Sequence, residues 1–99
     1  MEVNINEVKN LLKEENVEIL DVREPQELVD DGYIEGTHHI PMSEFDVETV
    51  PLDKSKKYYV MCLAGGRSAR VVEYMEKCGF DATNLEGGIK AYTGEKLYK

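Results

Sequence analysis

Cys62 opens the run Cys62-Leu63-Ala64-Gly65-Gly66-Arg67-Ser68, and this is where the residue types could do chemistry. A cysteine reacts as its thiolate, and a thiolate needs positive potential around it. Gly65 and Gly66 allow backbone N–H groups to turn inward, and a helix starting behind them adds the positive end of its dipole. In such a nest a thiol titrates at roughly 3.5 to 7.5 instead of about 8.5, so the expectation is that Cys62 is a nucleophile. The bland alternative is a core cysteine capping a strand, which the glycine loop argues against. Arg67 would stand at the first helical turn, where the dipole does not favour a cation, so it implies a negatively charged partner. Ser68, near the same helix start, is expected to cap a free N–H rather than catalyse.

The elements that must position this loop are legible on both sides of it. Lys57 to Cys62 is the clearest strand in the chain, which puts the cysteine at a strand's C-terminal end. From Arg67 onward Ala69, Val71, Val72, Tyr74 and Met75 recur at helical spacing, and Gly79 supplies the C-terminal cap. Upstream, Asn4 and Glu7 have the form of a capping box, and Val8, Leu11 and Leu12 predict a helix over 5–15. The β-branched run 17–22 predicts a strand, Pro25 to 31 a short helix ended at Gly32, and 36–41 a brief extended piece stopped by Pro41. Ser43 would cap another short helix, 82–85 form a strand, and Gly88 to Tyr92 begin a last helix. Strands alternating with helices argue for an α/β fold with a mostly parallel sheet, which binds ligands beyond the carboxyl ends of its strands. Cys62 falls there.

Composition narrows the chemistry. Ninety-nine residues suit one domain, 1–99, and two cysteines at positions 62 and 78 rule out a disulfide framework, a four-thiolate zinc site and a C-x-x-C redox motif. A formal charge of −8 opposes a nucleic-acid or anionic-membrane partner. The first residues have neither a basic region nor an apolar run, so the expected location is cytoplasmic. No dinucleotide fingerprint, P-loop or metal-ligand cluster is present, so neither a cofactor nor a metal is expected.

Four motifs in register carry a family resemblance that covers nearly the whole chain. The Cys62 to Ser68 loop resembles the C-x-x-G-x-R-S active-site loop of the single-domain rhodanese family of sulfurtransferases. Asp21-Val22-Arg23-Glu24 resembles its D-V-R-E, and Gly32 through Ile40-Pro41 its G-H-I-x-G-A-x-x-I-P, with Thr37 in place of the usual alanine. Leu85-Glu86-Gly87-Gly88-Ile89 with Tyr92 resembles its L-x-G-G-x-x-x-W, with tyrosine in place of tryptophan. The resemblance implies a mainly parallel five-stranded sheet with helices on both faces. It also implies a reaction in which Cys62 takes a sulfane sulfur as a persulfide and passes it to a thiol or cyanide. The loop from Leu63 and Ala64 through Gly65, Gly66 and Arg67 to Ser68 would hold the persulfide. Arg67 would order the loop or the anionic donor, while Asp21 and Arg23 at the neighbouring strand end are either supporting or purely structural. Because Leu63 and Ala64 are apolar, the loop lacks the second cation that would bind and orient a thiosulfate dianion. A small persulfide or a persulfide on a protein partner is as good a donor.

Two other readings stay open. A cysteine-dependent phosphatase places five residues between its cysteine and arginine; here there are four, a tighter cradle that suits one sulfur atom better than a phosphoryl group. A noncatalytic rhodanese-like binding module would be expected to have lost Cys62. Elsewhere, Cys78 at a helix C-terminus is expected to be a structural thiol, and His38 and His39, on opposite faces of an extended segment, cannot chelate one metal together.

Overall fold

A computed structural model describes residues 2–99, and its five strands form one sheet in which every pairing is parallel. The strands are β1 (Glu2–Asn4), β2 (Val17–Asp21), β3 (His38–His39), β4 (Lys57–Met61) and β5 (Asp81–Glu86). They run in the order β1-β5-β4-β2-β3, so β4, which leads into Cys62, is central. Three α-helices connect them: α1 (Val8–Leu11), α2 (Pro25–Asp30) and α3 (Gly66–Lys77).

The two-residue period of β4 divides the core between the two faces of the sheet. Tyr59 and Met61 pack with Ile5, Val8 and Leu11 on the α1 side. Tyr58, Val60 and Cys62 pack with Val71, Val72 and Met75 on the α3 side. The same alternation sends Ile19 to the first cluster and Leu20 and Val22 to the second. The cysteine is thereby aimed at the start of α3.

Four expectations need correction. The helix over 5–15 is a 3-10 turn at Ile5–Glu7 followed by only four α-helical residues. Asn4 does cap it, accepting from Asn6 N at 2.9 Å, but the reciprocal capping box is at α2, where the Glu27 carboxylate accepts from Glu24 N at 2.8 Å. Lys13, Glu14 and Glu15 carry no apolar side chain to bury, and Asn16 turns the chain with φ 60 into β2. The last helix is a 3-10 turn, Ile89–Ala91. Ser43 does not cap: it lies within a 3-10 turn, Met42–Glu44, and its hydroxyl donates to Glu24 Oε1 at 2.8 Å. β1 leaves no signal in the sequence, because three residues show no periodicity and their pairing partners, Asn84 to Glu86, lie at the other end of the chain.

Candidate active site

Cys62 follows the last residue of β4 and is 1% exposed. Its sulfur accepts from Gly65 N at 3.1 Å and Ser68 N at 3.4 Å, with the Ser68 hydroxyl at 3.3 Å. Gly65 makes this possible with φ 104, a left-handed conformation from which its N–H turns back to the sulfur and α3 begins. Burial is the largest single influence on the thiol and pushes it up. The Ser68 hydroxyl and N–H, with the N–H groups of Gly65 and Ala64, outweigh it and hold Cys62 below the ordinary thiol range. The N–H groups of Gly66 and Arg67, in the first turn of α3, find no acceptor among the described residues. They are the free donors of the cradle. Its outer side is open: Ala64 and Gly66 are exposed, and a side chain at Gly66 would meet nothing within 4 Å.

Three further layers hold the loop in place. Beneath it, Asn84 of β5 accepts from the Ser68 hydroxyl at 2.5 Å and donates through Nδ2 to Gly65 O at 3.2 Å and to Glu2 of β1 at 2.9 Å. Behind it, Ile89 N and Lys90 N donate to the carbonyls of Cys62 and Leu63 at 3.0 and 2.9 Å. That approach requires glycine at position 88, since a Cβ there would stand 2.4 Å from Leu63 O and 2.5 Å from Cys62 O, and φ is 59. In front, the Arg67 guanidinium forms two hydrogen bonds of 2.7 Å with the carboxylate of Glu27 on α2. The Arg67 bonds hold Glu27 below its ordinary carboxylate range, and the same carboxylate raises Arg67.

The negative partner implied for Arg67 is therefore met inside the protein, by Glu27. Ser68 is not a helix cap: it is the third residue of α3, and its hydroxyl faces Asn84 and Cys62 instead of a free N–H. Leu63 is half-buried against the α1-side core while its carbonyl receives Lys90 N. Asp21 and Arg23, both 0% exposed, bond to one another at 3.0 and 2.7 Å. Arg23 Nη2 also donates to Gly32 O at 2.8 Å. The pair stands at the end of β2, where Val22 N donates to Met61 O at 3.1 Å, and it pins the turn before α2 next to the cysteine strand. The Arg23 carbonyl accepts from His39 Nε2 at 2.6 Å, which makes Nε2 the protonated ring nitrogen. His38 is exposed, and Cys78 is half-buried at the end of α3 against the second core cluster. Asn84, Glu27, Glu2 and Gly88 are the site residues that residue-by-residue reasoning missed. Only Gly88, in a motif of the resemblance, left a signal.

A parallel sheet of this order, with a cysteine at the end of its central strand cradled by the following helix, meets a family model. The rhodanese-like domain model matches residues 4–95. The chain belongs to the rhodanese-like domain family. Among its relatives, the Bacillus subtilis (strain 168) protein named "Putative sulfurtransferase YtwF" is 38% identical over 82 residues, 83% of this chain and 79% of the relative. The crystal structure of a rhodanese-like domain protein from Staphylococcus aureus is 39% identical, with a TM-score of 0.83 over 99% of this chain and 98% of that one. That of SSP1007 from Staphylococcus saprophyticus is 40% identical, with a TM-score of 0.78 over 91% of each. In this rhodanese-like domain no helix among the described residues is long and apolar enough to cross a membrane.

Proposed function

We propose that this single rhodanese-like domain is a cytoplasmic sulfurtransferase that carries a sulfane sulfur on Cys62. The observation that carries the reading is the cradle itself. The N–H groups of Gly65 and Ser68 already bond the Cys62 sulfur, and those of Gly66 and Arg67 stand free beside the open side of the loop. In the first half-reaction the thiolate attacks the outer sulfur of a donor R–S–S⁻. A new S–S bond forms, the donor's S–S bond breaks, and R–S⁻ leaves with the electron pair. The Cys62 persulfide carries its charge one bond farther out, where the free amides can receive it. An acceptor thiolate then attacks that outer sulfur and releases Cys62 as the thiolate.

The donor we favour is a persulfide of a small thiol or of a protein, in preference to thiosulfate. Arg67 is already engaged by Glu27, and the apolar side chains of Leu63 and Ala64 offer a dianion no second charge. At −8, long-range repulsion also slows small anions at low ionic strength. The acceptor is a thiol or cyanide.

The test is intact-protein mass spectrometry after incubation with thiosulfate and, separately, with a small persulfide, on the native chain and on Cys62→Ser. The expected result is a gain of one sulfur atom from the persulfide, lost on adding excess thiol and absent in the variant. A folded native chain that gains sulfur from neither donor would overturn the reading in favour of a binding module. Hydrolysis of a phosphate ester that depended on Cys62 would replace it with a phosphatase.

A further inference from the structure

Ser68 has one hydroxyl proton and two candidates for it. Its oxygen lies 3.3 Å from the Cys62 sulfur and 2.5 Å from Asn84 Oδ1. The orientation of the Asn84 amide is set by its other end. Nδ2 donates to a Glu2 carboxylate oxygen at 2.9 Å and to the Gly65 carbonyl at 3.2 Å, neither of which can donate back. Oδ1 therefore faces Ser68 as an acceptor, at the shortest distance in the network, and the proton belongs to it while the sulfur is neutral. Ser68 then presents lone pairs to Cys62, which suits an S–H group and not a thiolate. All three residues are buried, with Cys62 1%, Ser68 0% and Asn84 3% exposed, so no solvent relieves the conflict.

We propose that Asn84 is a positioning residue that acts on Cys62 through Ser68, competing for the one hydroxyl proton. The hydroxyl bonds Asn84 while the sulfur is neutral and turns to the sulfur only when Cys62 is ionised, leaving Oδ1 unpaired. Asn84 thus limits how far Ser68 can stabilise the thiolate. On the sulfurtransferase reading, the inner sulfur loses its charge when the persulfide forms, and the proton returns to Asn84. The loaded state would then be favoured over the free thiolate by the recovered Ser68–Asn84 bond. The charged groups around the network lie on several elements: Glu73 and Glu76 of α3 share with Glu2 the hollow beside Asn84, and Glu73 also takes Lys77 at 3.3 Å. Arg67 of α3 is held by Glu27 of α2, Arg23 by Asp21 at the end of β2, and the Glu2 carboxylate of β1 accepts from the far side of Asn84.

The test is a double-mutant cycle on the pH dependence of Cys62 alkylation by iodoacetamide, with modification of Cys62 followed by peptide mass spectrometry. It needs no sulfur donor, so its outcome is separate from that of the sulfurtransferase reading. In the native chain, Ser68→Ala should raise the titration midpoint by less than about half a unit, a threefold change in thiolate fraction. In an Asn84→Leu background, which keeps the side-chain size and removes the acceptor, the hydroxyl is free. There Ser68→Ala should raise the midpoint by about one unit or more, a tenfold change. Equal shifts in the two backgrounds, the result of a merely structural Asn84, would overturn the proposal. Should Asn84→Leu fail to fold, the native chain still decides it: a rise of a full unit or more for Ser68→Ala there would overturn the proposal, and a rise below about half a unit would support it.

Discussion

Arg23→Met tests whether the Asp21–Arg23 pair is structural. The Asp21 carboxylate accepts from Arg23 Nε at 3.0 Å, Nη2 at 2.7 Å and the Arg23 backbone N at 3.1 Å, and neither side chain reaches solvent. Methionine leaves that carboxylate buried with only the backbone N–H, a situation that costs about 3–5 kcal/mol when a buried pair is broken. The native arginine is not cost-free, since its buried Nη1 has no partner among the described residues. A lost hydrogen bond of that kind costs about 1–3 kcal/mol, so the expected loss lies at the lower end, near 3 kcal/mol. With a urea slope of about 1.5 kcal/mol per molar, that is a fall of about 2 M in the unfolding midpoint, followed by far-ultraviolet circular dichroism. Against a total stability of about 5–15 kcal/mol for a domain of this size, the variant still folds or sits at the edge. Adding Asp21→Asn removes the unpaired charge and should return at least about 1 kcal/mol. A loss below about 1 kcal/mol for Arg23→Met, or a double variant weaker than the single one, would refute the argument.

The cradle makes a signed pH prediction. Because Cys62 is lowered in the folded protein, its contribution to stability is fully present above the unfolded thiol value and is lost as pH falls through the folded one. The urea midpoint of the native chain relative to Cys62→Ala should therefore rise from neutral pH to about pH 10, and a flat difference would contradict a stabilised thiolate. Glu27→Gln frees the Arg67 guanidinium. The pair is partly exposed, so stability should drop by about 1 kcal/mol or less, while the KM for thiosulfate falls; an unchanged KM would mean that Glu27 does not mask the cation. Gly88→Ala forces a Cβ into the Cys62 and Leu63 carbonyls and a left-handed alanine besides. Losing the two hydrogen bonds from Ile89 and Lys90, at about 1 kcal/mol each, and adding about 1–2 kcal/mol of backbone strain gives a loss of about 3–4 kcal/mol in thermal or urea unfolding.

What the residues alone determine here is what short-range physics determines. The run from Lys57 to Met61 reads as a strand because it is apolar and β-prone, and Cys62 lands at its end whatever the rest of the chain does. The helical stripe after Arg67 and the Gly79 cap fix α3 in the same way, and the glycine loop between them announces an anion cradle. The extended 5–15 helix failed for the opposite reason: its second half has no apolar face, and propensity without burial does not hold a helix.

Only the tertiary structure decides which partner each polar group takes, because those partners come from segments far apart in the chain. Arg67 asks for a negative charge, but nothing local says that the charge is Glu27, forty positions away on α2. Ser68 looks like a cap until β5 brings Asn84 under it, and Asn84 in turn is oriented by Glu2, on a strand too short to be read at all. A hydrogen bond depends on distances of a few tenths of an ångström, whereas apolar burial depends on pattern. Pattern is written along the chain; those distances exist only once the sheet has brought β1, β5, β4 and β2 side by side.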